Sequence, residues 1–314
     1  MEADLHKSGS ITHTAKFTNV KGIKTRYYDL GQGEPMVLIH GDEWSGKGNA
    51  NTWSLNLGGL AKNFHVYAPD KLGSGMTDNP KTDSGYTIQT VVRHMHDFIT
   101  TMGLKQVHLV GQSRGAGIAT RLALEYPGLA KTLVIVDSQT LAPEIGDFSE
   151  RWWRLFSGLP KNNINEYIRQ VWERMSYNID HVTDEYVASC ELMEMLPKSQ
   201  EAKQKIDCFN PDTSYYTPKT SLNIVTKRWE ESLLIQKEET LNWIKQGQLK
   251  IPTLVYWGAN DPTAILEQGL ALFDFIREYT DRSQMHIVNH AGHFHYREYP
   301  IEWNNVVTNF IKLS

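Results

Sequence analysis

The pentapeptide Gly111-Gln112-Ser113-Arg114-Gly115 stands directly between the apolar run VHLV and the helical pattern AGIATRLALEY. A chain that passes from strand to helix in so few residues must turn very tightly, and glycine at both flanks gives it room. Such a turn lifts one side chain, that of Ser113, above the strand end with its hydroxyl accessible. The helix that starts there brings its N-terminal dipole and backbone N–H groups to the same point, where they can meet a developing negative charge. Ser113 is therefore read as a nucleophile, against the alternative of a merely structural glycine turn.

The rest of the chain repeats the strand-then-helix pattern. Ile23–Leu30 looks like a strand, and short apolar runs at Met36–Ile39, Phe64–Ala68, Val107–Val110, Leu133–Val136, Thr253–Trp257 and Met285–Val288 follow it; each of the seven stops at a Gly, Asp, Asn, His or Pro. Runs of this kind suit strands buried on both faces of a parallel sheet. Helical spacing occupies 88–102, 115–126, 263–278 and 301–313 between or after them. The expected fold class is α/β, a mostly parallel central sheet flanked by helices, with its ligand beyond the carboxyl ends of the strands. Residues 139–230 break the pattern. FSERWWRLFSGL, INEYIRQVWERM, TDEYVASCELMEML and LNIVTKRWEESLL read as amphipathic helices, and no strand is visible among them. The expected organisation is a core of residues 1–138 and 231–314 with a helical cap inserted at 139–230.

A length of 314 residues is enough for one large core with such an insertion. Net charge is −4 without a run of one sign, which gives no basis for nucleic-acid or membrane binding. Cys190 and Cys208 have no metal-type spacing and are read as free thiols. No apolar leader and no stretch of ~18–20 apolar residues is visible. A soluble, cytoplasmic protein is the expectation. No metal cluster or dinucleotide fingerprint is present, so no cofactor is expected.

A serine hydroxyl needs a base, and the base needs an orienting acid. Asp261, in WGANDP after one strand, and His293, in NHAGHF after the last, follow Ser113 in the order Ser, acid, His. His290 and His295 are rivals for the base, but Gly292 and the position after the strand favour His293. Asp137, also at a strand end, is a rival acid or a structural carboxylate at the cap hinge. Two backbone amides should form the oxyanion hole: that of Arg114, and that of Asp42 or, failing it, Gly41. His40 is read as a brace for that loop. Trp152, Trp153, Phe156, Trp172 and Met175 form apolar faces that either line the pocket or pack the lid.

Taken together, HG at 40–41, PDKLGSGMTDNP at 69–80, GQSRG at 111–115, WGANDP at 257–262 and NHAGHF at 289–294 resemble the α/β-hydrolases over residues 23–313. More narrowly, VVRHMHDFITTMGLKQVHLVGQS and Lys227-Arg228-Trp229-Glu230 resemble the meta-cleavage product hydrolases, C–C bond hydrolases of aromatic-ring degradation. That resemblance implies Arg228 as the clamp for a substrate dienoate carboxylate, chemistry that suits a bidentate guanidinium; the alternative is a surface cation. It also directs attention to Gln112, Phe294 and Trp229 as substrate-binding positions. The sequence departs from the family at several points. Gln112 stands for an asparagine, Arg114-Gly115-Ala116 for methionine-glycine-glycine, and Phe294 for a tryptophan. The glycine-rich oxyanion loop is replaced by DEWSGKGNANTW, which offers Asn49 or Asn51 to the pocket. The resemblance implies cleavage of a C–C bond in a vinylogous diketo acid. An ester or lactone hydrolase working through an acyl-enzyme uses the same residues, and a ligand-binding pseudoenzyme is the reading from another class. The expected partner is a small molecule, aromatic and acidic, and a homo-oligomer is left open.

Overall fold

The structure, a computed structural model, describes residues 8–160, 162–206 and 223–314; Cys208 lies outside them. Its centre is an eight-stranded sheet: β1 (Lys16–Val20), β2 (Ile23–Leu30), β3 (Pro35–Ile39), β4 (His65–Pro69), β5 (Val107–Gln112), β6 (Ala130–Val136), β7 (Thr253–Gly258) and β8 (Ser283–Val288). The spatial order is β1-β2-β4-β3-β5-β6-β7-β8. β2 runs antiparallel to β1 and β4, and every pair from β4 to β8 is parallel. The central runs became strands because both their faces are covered, whereas β8 at the sheet edge is mostly half-buried or exposed. Val37 and Ile39 of β3, Leu109 of β5, and Leu133 and Ile135 of β6 belong to one core cluster. Met36 and Leu38, Val110, and Val134 and Val136 belong to the other. This period-two division between two buried faces is what helices on both sides of a sheet require. β1 was not expected: its residues are mostly exposed, and it is held by a hairpin through Lys21 and Gly22, both at positive φ.

The core helices are α1 (Leu57–Leu60), α2 (Ile88–Thr101), α3 (Arg114–Glu125), α9 (Leu266–Arg277), α10 (His295–Glu298) and α11 (Pro300–Leu313). The middle of the chain forms α4 (Phe148–Phe156), α5 (Ile164–Met175), α6 (Asp184–Glu194), α7 (Pro197–Lys205) and α8 (Ile224–Lys245). Their starts are written in the sequence. Asp147, Asn163, Thr183 and Asn223 each accept a backbone N–H of the first turn through the side chain, satisfying a donor the helix leaves open. α8 runs unbroken through residues 230 and 231, so the expected edge of the insertion falls inside one 22-residue helix. The joint between this layer and the sheet is tight. The His293 amide donates to the Met175 carbonyl at 2.8 Å, and a Cβ on Gly292 would come 2.5 Å from that same oxygen.

Candidate active site

Ser113 follows β5 and precedes α3 with φ 53° and ψ −124°, a conformation rarely occupied by a side-chain-bearing residue. The surroundings hold it there. Its amide donates to the Val136 carbonyl at 2.8 Å, and its carbonyl accepts the Ala116 amide at 3.0 Å and the Ser138 hydroxyl at 2.6 Å. The flanking glycines are needed for close approach. A Cβ on Gly111 would lie 2.3 Å from the Gly115 oxygen, and one on Gly115 would lie 2.2 Å from the Ile39 oxygen.

Asp261 and His293 come together from the loops after β7 and β8. His293 Nδ1 donates to Asp261 Oδ2 at 2.6 Å, with the carboxylate fully buried. The other carboxylate oxygen accepts three donors: the Thr263 amide at 2.7 Å, the Thr263 hydroxyl at 2.8 Å and the Ala264 amide at 3.0 Å. Burial alone pulls the His293 imidazole downward, but the charge and hydrogen bond of Asp261 outweigh it and the net shift is upward. Nε2 is thereby left for a partner on the cavity side. Ser113 and His293 line one cavity together with Gly41, Asp42, Gln112, Arg114 and Phe294.

The other polar candidates separate by environment. Burial holds the Asp137 carboxyl well above the usual range, with Asp261 adding to the effect. Asp137 Oδ1 accepts the Gly258 amide at 2.8 Å, and Oδ2 lies 2.8 Å from His295 Nε2 without a well-aligned hydrogen bond. Burial lowers His295 to about 4. His40 is lowered to about 3, by burial first and then by the Lys71 charge. It accepts the Lys71 amide on Nε2 at 3.0 Å and bonds the Gly41 carbonyl through Nδ1 at 2.7 Å, so its ring joins two loops.

On the oxyanion side, Gly41 is pressed so closely on the serine turn that a Cβ there would lie 3.0 Å from that of Ser113. Asp42 has φ 55°, and its side chain turns aside to Lys47 and the Ser45 hydroxyl. Glu43 is fully buried between Arg114 and Lys71.

The roof of the cavity is aromatic and aliphatic. Phe148, Trp152 and Phe156 of α4, Trp172 and Met175 of α5, and Leu233 and Leu234 of α8 line it. Trp172 stacks on Phe294 with ring centroids 3.9 Å apart, while Trp153 is 56% exposed on the far side of α4. Three residues expected at the substrate lie elsewhere. Arg228 is not among the lining residues; its guanidinium donates to the Asp83 carbonyl at 3.1 Å, because its position on α8 faces the loop before α2. Asn51 is buried against Arg26, Tyr28, Ser189 and the Gly9 carbonyl, and Asn49 takes the lining position. Trp229 is buried behind the wall, edge-on to Trp44 and 5.7 Å from the Arg114 guanidinium. Lys237, two turns further along α8, lines the cavity instead, bonded to the Gln139 carbonyl and Glu144. It shares a helical face with Leu233 and Leu234, and the packing of α8 turns that face to the cavity.

Residues 34–298 match the family model described as alpha/beta hydrolase fold, and the chain belongs to that family. Its relatives narrow the class. A 2-hydroxy-6-oxo-6-(2'-aminophenyl)hexa-2,4-dienoic acid hydrolase of Metapseudomonas resinovorans is 28% identical over 306 residues, spanning 95% of this chain and 91% of its own. A 2-hydroxymuconate semialdehyde hydrolase of Pseudomonas sp. (strain CF600) is 26% identical over 290 residues, spanning 92% and 91%. Among solved structures, a meta-cleavage product hydrolase from Pseudomonas fluorescens IP01, complexed with acetates, superposes with a TM-score of 0.73 at 25% identity, covering 95% of this chain and 97% of that one. The chain is a hydrolase, similar over nearly its whole length to meta-cleavage product hydrolases. Among the described residues no helix is long and apolar enough to cross a membrane.

Proposed function

We propose that this hydrolase cleaves a C–C bond in a vinylogous diketo acid produced by aromatic-ring cleavage, with Ser113, His293 and Asp261 as its catalytic triad. The observation that carries the reading is the meeting of the Asp261–His293 pair and Ser113 at one cavity whose lining is both aromatic and charged. Phe148, Trp152, Phe156, Trp172 and Phe294 supply the aromatic part; Lys47 and Lys237, paired with Asp42 and Glu144, supply cations, while the Arg114 guanidinium is held by Glu43. A substrate with an apolar end and an acidic end fits such a lining. Helices α4 to α7 and the first part of α8 act as the cap that sets this selectivity.

In the reaction the dienol first ketonises, so that the carbon to be released can carry an electron pair as an enolate. Ser113 Oγ attacks the carbonyl as His293 Nε2 takes its proton, while Asp261 holds the imidazole and stabilises its charge. The amides of Arg114 and Asp42 face the oxyanion. Collapse of the tetrahedral adduct breaks the C–C bond, and the departing enolate carbon receives the proton from His293. Water, activated by the same imidazole, then hydrolyses the acyl-enzyme, giving two products and regenerating Ser113.

An ester or lactone hydrolase is the second reading. It is favoured by the charged loop at 42–53, which stands where the resembling family is glycine-rich. A paired assay separates the two: a yellow ring-cleavage dienoate against a p-nitrophenyl ester of an aromatic acid. Fast bleaching of the dienoate with slow ester turnover is expected; ester turnover alone would replace the C–C reading with the second.

A further inference from the structure

The two amides read as the oxyanion hole belong to segments far apart in the chain, and a buried carboxylate joins those segments. Glu43 follows Asp42 directly, and its side chain is fully buried. Its Oε2 accepts a hydrogen bond from the Arg114 guanidinium at 2.7 Å, across 71 positions of sequence. Its Oε1 is bonded to the ammonium of Lys71, which is itself fully buried. That ammonium also donates to the Asp42 carbonyl, and the Lys71 amide donates to His40. One carboxylate thus links the residue after the nucleophile, the oxyanion loop and the loop after β4.

Resting on the oxyanion-hole reading above, we propose that Glu43 is a positioning residue that fixes the spacing of the Arg114 and Asp42 amides. A buried carboxylate between two cations is costly to desolvate, and replacing such a group with apolar side chains is often neutral or stabilising. Stability alone therefore gives weak reason for this arrangement. Geometry gives a better one. The 42–53 loop holds Asp42 at positive φ beside a charged sequence, and the Glu43–Arg114 bond restrains it against the serine turn. Oxyanion donors act only when aimed at the place where charge develops, and displacement of a reacting geometry by about 1 Å can cost ~100-fold.

The effect should therefore fall on kcat. In Glu43→Gln the charge is lost while the shape is kept; kcat should drop by roughly 10- to 100-fold with KM within about threefold. Affinity for an arylboronic acid, which forms a tetrahedral adduct with a serine, should fall by a similar factor. Arg114→Met removes the other half of the tie from a partly exposed position and should give the same kcat loss. Because both variants break one link, the double variant should lose little more than either alone. Arg114→Met decides the matter if Glu43→Gln does not fold. Either folded variant keeping kcat within threefold, a loss confined to KM, or losses that multiply in the double variant would overturn the proposal. Ser113→Ala run alongside separates the two levels. If it still turns over substrate, the reading of the site fails and this inference with it. If it is inactive while Glu43→Gln runs at full rate, only the positioning role fails.

Discussion

Replacing Asp261 by Asn should disable the base while leaving its surroundings almost untouched, and the hydrogen bonds explain why. Asp261 Oδ1 accepts three donors, two from Thr263 and one from Ala264. In Asp261→Asn the amide oxygen is therefore held at that position, because an NH2 group there would face three donors. The NH2 must then point at His293 Nδ1, where Oδ2 now accepts at 2.6 Å. A donor facing Nδ1 forces that nitrogen to be the acceptor, and the ring proton moves to Nε2. The nitrogen facing the cavity can then no longer take the serine proton. The expected loss in kcat is about 10³- to 10⁴-fold, or roughly 4–5.5 kcal/mol of barrier. It should be measured as kcat and KM on the faster substrate of the paired assay, with the melting temperature checked in parallel. The pH profile adds a signed test. His293 is raised above its ordinary value of 6.5, and the reaction needs it neutral. In the wild type kcat/KM should therefore rise with pH through a value above 6.5, and in Asp261→Asn that limb should move to lower pH. A folded Asp261→Asn variant within tenfold of wild-type kcat would refute this chain of reasoning.

Asp137→Asn should keep kcat within about threefold and leave the acidic limb in place, since burial already favours the uncharged carboxyl and the amide retains its shape; a loss of a thousandfold would make Asp137 the orienting acid. Lys237→Met should raise KM for the dienoate by roughly tenfold or more, the cost of a charge-assisted hydrogen bond, with little effect on a neutral ester. Arg228→Met should change either KM by less than about twofold, because Arg228 faces the Asp83 carbonyl outside the cavity lining. The reverse order of the two cation variants, from initial rates on both substrates, would restore Arg228 as the carboxylate clamp.

What the sequence made legible was whatever depends on local pattern. The apolar runs located seven of the eight strands, most clearly β3 and β5 to β7, where burial on both faces leaves few polar positions. The glycines around Ser113 and the polar clusters at strand ends located the candidate triad for the same local reason. Signals that depend on which way a helix faces were not legible. Arg228 and Lys237 lie on one helix, and only the packing of α8 decides that the second lines the cavity. Asn51 looked like a pocket residue, yet the buried Arg26 guanidinium and the Tyr28 hydroxyl engage its side chain. The Glu43–Arg114–Lys71 cluster was invisible because its members come from three separate segments. β1 escaped notice because an exposed edge strand carries little apolar signal.

The triad reading rests most directly on Ser113, and rapid mixing of the ring-cleavage dienoate with wild type and Ser113→Ala tests it. Wild type should bleach the dienoate. Ser113→Ala should bind it, visible as a spectral shift, and bleach it at least about 1,000-fold more slowly. Bleaching by Ser113→Ala within tenfold of wild type would contradict a nucleophilic role for Ser113.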